Sequence, residues 1–121
     1  MQTVAQLRSF NRAAAKAGLS EQEIERIVNI LAENPAAGVE MPGTGGCRKL
    51  RIAGRGKGKS GGYRTITFYS GEIMPVFLIT VFSKGERTNL SKAECNHLKE
   101  MTKAIVQEYR LKIANLARKG A

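Results

Sequence analysis

Basic side chains are concentrated in the middle of this 121-residue chain, in a pattern suited to binding a polyanion. No acidic residue occurs between positions 48 and 64, and the same stretch holds seven cations: Arg48, Lys49, Arg51, Arg55, Lys57, Lys59 and Arg64. A lysine neutralises phosphate as a point charge, and a planar guanidinium can bind two phosphate oxygens at once. Together with a formal net charge of +10, the pattern predicts a nucleic-acid partner.

The glycine-rich stretch 54–62, GRGKGKSGG, has the composition of a nucleotide-binding loop but not its spacing. A Walker loop places four residues before its Gly-Lys-Ser/Thr triplet and continues into a helix. Here three residues separate Gly54 from Gly58, and β-forming residues follow Gly62. We interpret the stretch as a connection between two strands whose lysines neutralise the phosphates of a longer polyanion. A solvated hairpin loop is the alternative.

Two helices are predicted in the first third of the chain. Ser20 and Glu23 have the spacing of a capping box, and the apolar residues that follow recur at helical spacing until Asn34-Pro35 ends the helix. An alanine-rich helix over 10–17 precedes it, and a glycine follows that helix directly. A short strand is expected at 3–6.

Three strands are predicted next, forming an antiparallel meander over 47–53, 63–69 and 76–82. In the first strand apolar residues alternate with cations, which places a basic row on one face. The third strand is almost continuously apolar and is therefore expected to be central, with Pro75 at its beginning. The pattern leaves open which face of the second strand is buried.

A second capping box, Ser91 and Glu94, predicts a C-terminal helix over about 91–118. Its apolar residues form one stripe that is expected to pack on the sheet: Leu98, Met101, Ile105, Tyr109 and Leu116. Residues 1–121 are thus interpreted as one domain with a core of about 20–105, containing two N-terminal helices, a sheet of three to four strands and a C-terminal helix.

Several other classes of protein are disfavoured. No run of about eighteen apolar residues predicts a membrane span, and the N-terminus lacks the apolar block of a secretory signal. Cys47 and Cys95 lie far from each other in sequence with no metal-spaced His or Cys nearby, so we expect no metal site and reduced thiols in a cytoplasmic protein. The single histidine, His97, excludes a two-histidine ribonuclease.

Three motifs together resemble the RelE/HigB family of bacterial type II toxins, in the RelE/ParE superfamily. They are GTGGCRKLR at 43–51, GKGKSGGYR at 56–64 and PVFLITVFSK at 75–84, the last followed by Glu86 and a helix. The likeness is greatest to the HigB-like branch, which has an inserted glycine-lysine loop. It implies an α+β fold with a twisted antiparallel sheet and two helices on one side. It also implies a cofactor-free endoribonuclease that cuts messenger RNA in the ribosomal decoding site.

Carried over by position, the resemblance implies a catalytic set on two strands and after the third: Lys49, Arg51, Arg64, Lys84 and Arg87. Two departures leave the general base open. Gly85 stands where some relatives have a second arginine, and Leu90 stands where those relatives have tyrosine. Lys57 or Lys59 of the inserted loop could replace a missing group.

Cleavage of RNA without metal requires deprotonation of the 2′-hydroxyl, stabilisation of an in-line phosphorane and protonation of the 5′-oxygen. Cations crowded around one phosphate disfavour the protonated form of a lysine, which can then act as the base. Arg64 is the first candidate for stabilising the transition state. Tyr69 and Phe82 are predicted to stack on a splayed base, with core packing as the alternative. Backbone contacts are expected from Arg48, Arg55, Lys57 and Lys59.

The resemblance also implies partners. They are the ribosome, its mRNA and a cognate antitoxin that covers the basic face and commonly carries a helix-turn-helix domain. Operator DNA would be bound only through the toxin–antitoxin complex. Two other functions stay open: inhibition of gyrase by a ParE-like toxin, and non-catalytic binding of RNA or the ribosome by a protein of the same fold.

Overall fold

The computed structural model of the chain describes residues 1–54, 62–83 and 89–120, with side chains described as far as Arg118. Two short helices and a long one accompany five strands, and this confirms the predicted α+β class. Along the chain the elements are β1 (Val4–Gln6), α1 (Arg8–Ala17), α2 (Glu21–Glu33), β2 (Val39–Glu40), β3 (Cys47–Ala53), β4 (Gly62–Phe68), β5 (Val76–Ser83) and α3 (Lys92–Gly120).

The five described strands form one sheet in the order β1-β5-β4-β3-β2. β3, β4 and β5 make the predicted antiparallel meander, with β4 and β5 inside the sheet. The sheet as a whole is mixed rather than antiparallel, because β1 pairs with β5 in parallel. It also has five strands rather than three to four, since β2 adds a two-residue edge.

Hydrogen bonds from residues that flank β1 hold it in the parallel direction. The Val76 amide donates to the Thr3 carbonyl (2.8 Å), and the Leu7 amide donates to the Leu78 carbonyl (3.1 Å). The Gln2 side-chain amide donates to two carbonyls of the turn before β5, at 3.1 and 3.0 Å. The strand direction therefore depends on contacts some seventy residues apart in sequence, which no local pattern records.

Helices cover both faces of the sheet. α1 and α2 pack on one face, where the buried residues are Phe10, Ala14, Ile27, Leu31, Ile52, Val76, Leu78 and Val81. α3 packs on the other face, where they are Cys47, Ile66, Phe68, Met74, Ile79, Phe82 and Leu98. Burying a large apolar side chain contributes about 1.5–3 kcal/mol. β4 is accordingly buried on both faces, which answers the question that the alternation of its residues left open.

Both predicted capping boxes are present. Ser20 Oγ accepts from the Glu23 amide (3.1 Å), and the Glu23 carboxylate accepts from the Ser20 amide (2.9 Å). Ser91 and Glu94 repeat the arrangement at 3.1 and 2.8 Å before α3. α1 ends at Gly18, whose φ of 77° is the left-handed conformation that favours glycine. Each cap contributes about 1 kcal/mol and fixes where its helix meets the sheet.

The apolar stripe of α3 packs on the sheet for only part of its length. Leu98, Met101, Ile105 and Tyr109 contact the core as predicted. Leu116 does not, because the helix, about 43 Å long at 1.5 Å per residue, continues past the sheet and leaves this side chain 70% exposed. In the described part of the chain, no helix combines the length and apolar character that crossing a membrane requires.

The loop before β3 lies directly against α3. Thr44 Oγ1 donates to the Met41 carbonyl (2.7 Å) and accepts from the Cys47 amide (3.0 Å), and both ends of the loop are thereby fixed. Gly45 has φ +78°, and an added Cβ would overlap Thr102 Oγ1 and lie 3.4 Å from Lys99 Cα. A glycine at this position lets α3 approach the start of β3 closely.

We expect Gly45→Ala to lower the free energy of unfolding by roughly 3 kcal/mol, because the left-handed backbone and the overlap with α3 both oppose it. Gly43→Ala is the matched control. Its φ is +77°, but its added Cβ meets no described atom within 4 Å, so we expect a loss of only about 1 kcal/mol. Urea unfolding of the two variants measures the difference. Equal losses would show that α3 does not press on Gly45.

Cys47 is a thiol sealed beneath α3 at the start of β3, with none of its surface exposed. Burial raises the pKa of Cys47 to about 11, partly opposed by a hydrogen bond with Thr44. The neighbouring thiol of Cys95, on α3, adds a smaller increase. The core therefore accommodates the neutral thiol and not the thiolate.

This raised pKa predicts alkaline instability. The unfolded thiol titrates near pH 9.0 and the folded one near pH 11, so its stabilising contribution is complete below about pH 9 and is lost as the pH rises towards 11. We expect the unfolding free energy to fall by roughly 1–3 kcal/mol more over this range in the unmodified protein than in Cys47→Ala. Denaturant unfolding across the range measures both slopes. Cys95→Ala should keep the steep slope, and a steep slope in Cys47→Ala would contradict the assignment.

Candidate functional site

The pairing of β3 with β4 brings three predicted cations onto one face of the sheet. Arg51 lies directly opposite Arg64, and Lys49 is two residues before Arg51 on the same face. Directly opposed residues have Cβ atoms about 4.5–5.5 Å apart, and diagonal neighbours about 7–8 Å. Long basic side chains at these positions can therefore contact one shared anion. We call these three residues the strand cations.

Arg64 is the strand cation with a buried side-chain nitrogen. Its side chain is half-buried, whereas Arg51 is exposed. Its Nη1 atom is buried and has no hydrogen-bond partner among the described residues. On the β5 side its cross-strand neighbour is Phe82, which is 4% exposed. A buried polar group without a partner destabilises the fold by about 1–3 kcal/mol, and by more when it is charged, unless a ligand satisfies it.

Neighbouring contacts fix the two strands that carry these cations. The Arg26 guanidinium, from α2, donates to the Ala53 carbonyl at the end of β3 (2.8 Å). Tyr63 precedes Arg64 on β4, packs against the α1/α2 core and has a side-chain hydrogen bond with Glu23 at the start of α2. Burial, and then the charge of Glu23, raises the pKa of Tyr63. α2 thus supports both strands from the face opposite the strand cations.

Of the other predicted site residues that the structure describes, none adds a cation to this cluster. Arg48 lies on the opposite face from Lys49, because side chains alternate along β3. Tyr69 packs against the α1/α2 core, and the Phe82 ring is buried in the α3-side core. Core packing, the alternative for both aromatic residues, describes their positions. Arg55, Lys57, Lys59, Lys84 and Arg87 lie outside the described residues.

The imidazole and thiols of the chain lie on α3 and at the start of β3. His97 is exposed on α3, one turn into the helix. Cys47 shares the β3 face but is sealed in the core. Within the described ranges no cluster of three or more His, Cys, Asp or Glu side chains is arranged to hold a metal ion.

α3 has a basic side in addition to the packing role predicted from its apolar stripe, and that prediction did not include it. Lys99, Lys103 and Arg110 border a groove between this helix and the loop at Gly45. Their separations of four and seven residues place them on one side of a helix. The spacing of these three cations can be read from the sequence. The groove beside them cannot, because it forms where the loop at Gly45 packs against α3.

The strand cations form an arrangement that can bind a phosphodiester and stabilise extra negative charge on it. Two guanidinium groups opposite each other offer several N–H donors to the non-bridging oxygens. Half-burial of Arg64 strengthens its interaction with an anion relative to the same contact in water. Such pre-positioned donors stabilise a phosphorane more than the starting phosphate, because the phosphorane carries more charge.

Comparison with known protein families gives a match over almost the whole chain. The matching family model is described as the RelE toxin of the RelE/RelB toxin–antitoxin system and covers residues 2–121. The match therefore includes all three strand cations, the loop at Gly45 and the whole of α3.

The variant Arg64→Met tests whether the buried Nη1 atom of Arg64 is part of an anion-binding site. Methionine fills much of the same volume without the unsatisfied donor, so we expect the unfolding free energy to rise by about 1–3 kcal/mol in the absence of multivalent anions. Sulfate should stabilise the unmodified protein more than this variant, as measured by thermal unfolding in sulfate and in chloride. Arg12→Met, at an exposed position of α1, corrects for general salt effects. A variant that is less stable and equally sensitive to sulfate would contradict the anion site.

Proposed function

The chain belongs to the RelE family of toxins of RelE/RelB toxin–antitoxin systems, and on that basis we propose that it is a ribosome-dependent mRNA endoribonuclease of the HigB-like branch. The observation that carries the proposal is the opposed pair Arg51 and Arg64, in which the buried Nη1 of Arg64 has no hydrogen-bond partner within the described residues. An anion can satisfy such a donor, and we propose that the scissile phosphate of an RNA strand is that anion.

We assign roles from position and chemistry. Arg64 contacts the non-bridging oxygens and stabilises the phosphorane, because arginine stays charged and presents a planar fork. Arg51, exposed and opposite it, helps to hold the same phosphate. Lys49, two residues away on the same face, is the described candidate for a proton-transfer role. Lys84 and Arg87, outside the described residues, complete the proposed catalytic set.

The reaction that these roles serve is transesterification within the RNA. The 2′-oxygen loses its proton and attacks the adjacent phosphorus, and the bond from phosphorus to the 5′-oxygen breaks. The leaving 5′-oxygen takes up a proton, which yields a 2′,3′-cyclic phosphate and a 5′-hydroxyl. No metal ion is required, because cationic side chains offset the developing charge.

Ribosome dependence follows from what the strand cations supply. They offer charge and positioning but no imidazole pair for acid–base catalysis. A ribosome that holds the message in a fixed conformation would contribute orientation, which can lower a barrier by several kcal/mol. We therefore place the activity on translated mRNA in the cytoplasm.

Family membership implies a cognate antitoxin. We propose that it covers the face with the strand cations and carries a helix-turn-helix domain, so that the pair binds operator DNA through the antitoxin. A basic face exposed to RNA is complementary to an acidic covering segment.

The decisive test is primer extension on translated mRNA. We expect the unmodified protein to cut, and Arg64→Ala to lower the cleavage rate about 10²- to 10³-fold, the loss typical of removing one donor to a charged transition state. Arg12→Ala, on the opposite side of the sheet, should cut normally. Equal cleavage by the Arg64 variant and the unmodified protein would remove Arg64 from the mechanism.

The same experiment separates the other functions. A ParE-like toxin would leave the message intact and block supercoiling by gyrase, and its toxicity would survive substitution of the strand cations. A non-catalytic RNA-binding protein would neither cut the message nor arrest growth when expressed. Growth arrest relieved by co-expression of the antitoxin, together with cut message, supports the endoribonuclease.

A further inference from the structure

A second group of cations surrounds a groove on the α3 side of the sheet. The groove has a volume of about 330 Å³, and none of its lining residues in the described part of the chain is acidic. Three of its lining residues are basic: Lys99, Lys103 and Arg110. Phe68 and Val106 supply its apolar surface, and Gly45 belongs to the loop that faces α3. We call it the α3 groove.

The geometry of the helix sets the basic residues in a row. At 1.5 Å per residue, Lys103 lies about 6 Å along the axis from Lys99, and Arg110 about 10 Å further. All three side chains are exposed. Lys103 lies 3.9 Å from the carboxylate of Glu100, but both side chains are well exposed, so this pair contributes little and can exchange for another anion.

The α3 groove and the strand cations lie on the same face at different points along β3. Gly45 lies in the turn just before β3, and Arg51 is four residues beyond Cys47, the first residue of β3, which corresponds to about 13 Å along the strand. Cys47 and Lys49 occupy the same face between them, with the former sealed beneath α3. A flexible polyanion held at Arg51 can therefore follow the flank of α3 as far as the groove.

We propose that the α3 groove binds backbone phosphates of the same RNA strand, several nucleotides from the bond that is cut. The inference rests on the proposed function and extends it by a second contact point. Phe68 is only 4% exposed, so its ring does not present a face for base stacking. The groove thus contacts phosphate rather than bases, and its contribution is independent of sequence.

The test uses non-cleavable 2′-O-methyl RNAs of about four and about twelve nucleotides. The variant is the triple substitution Lys99→Gln, Lys103→Gln and Arg110→Gln in the full chain. We expect its affinity for the longer RNA to fall at least about tenfold at low salt, and the slope of log K against log salt to decrease by about 2, because three phosphate contacts are removed. Its affinity for the shorter RNA should change little. Fluorescence anisotropy across a salt series measures both.

A matched control is available on α1, on the other side of the sheet. Arg8, Arg12 and Lys16 are exposed and spaced four residues apart, so replacing all three by glutamine removes the same charge from a similar helical row. We expect this control to keep most of the dependence on RNA length. Equal losses in the two triple variants would reduce the effect to net charge and overturn the proposal.

Further outcomes distinguish the possible occupants and the two proposals. A groove variant that keeps its RNA affinity but loses affinity for the antitoxin, or only for the ribosome, would overturn the assignment to the cleaved strand. Cleavage of translated mRNA by the unmodified protein, with an unchanged salt slope in the groove variant, would overturn the groove alone. Absence of cleavage by the unmodified protein would overturn the proposed function and this inference with it.

Discussion

The strand cations depend on one constraint, the register in which β3 pairs with β4. Seven consecutive pairs set Arg51 opposite Arg64, and a slip by one residue would move every side chain of one strand to the other face. Two like charges directly opposite each other oppose this register by a fraction of a kcal/mol. Packing of β4 outweighs that repulsion, because a slip would take Ile66 and Phe68 out of the α3-side core and put Thr65 and Thr67 in their place. The cores thus hold two cations together that would otherwise separate.

α3 covers only one end of the β3 face that carries Lys49 and Arg51, so solvent exposure increases along the strand. Cys47 is sealed beneath the helix, Lys49 is half-buried and Arg51 is exposed, all on one side of β3. The helix lies close enough to seal the first position because Gly45 has no side chain to separate it from the loop. One packing contact thereby leaves the strand cations accessible at one end of the strand and makes the α3 groove at the other.

Sequence patterns correctly predicted the features that depend on residues close together in the chain. The two serine capping boxes and the Lys49/Arg51 alternation each depend on residues within a few positions, and the structure contains all of them. The parallel direction of β1 depends on contacts some seventy residues apart, and no such pattern encodes it. The same holds for the groove, which exists only because a loop before β3 meets α3. Leu116 fits the stripe perfectly in sequence, but the sheet ends before the helix reaches it.

The physical character of Arg64 links these observations to function. Its Nη1 atom is buried with no hydrogen-bond partner in the part of the chain that the structure describes, which works against folding. An apolar side chain of similar volume would avoid that penalty. An anion that binds to Nη1 removes this penalty, and the free energy so gained strengthens binding of the anion. In a catalytic site the same donor favours the species with most charge, which in phosphodiester cleavage is the phosphorane. A donor already held in place by two packed strands needs no reorganisation to do so. The function proposed above uses this property: the strand cations supply charge at fixed positions, and a ribosome that holds the RNA strand near the reacting conformation would supply the orientation.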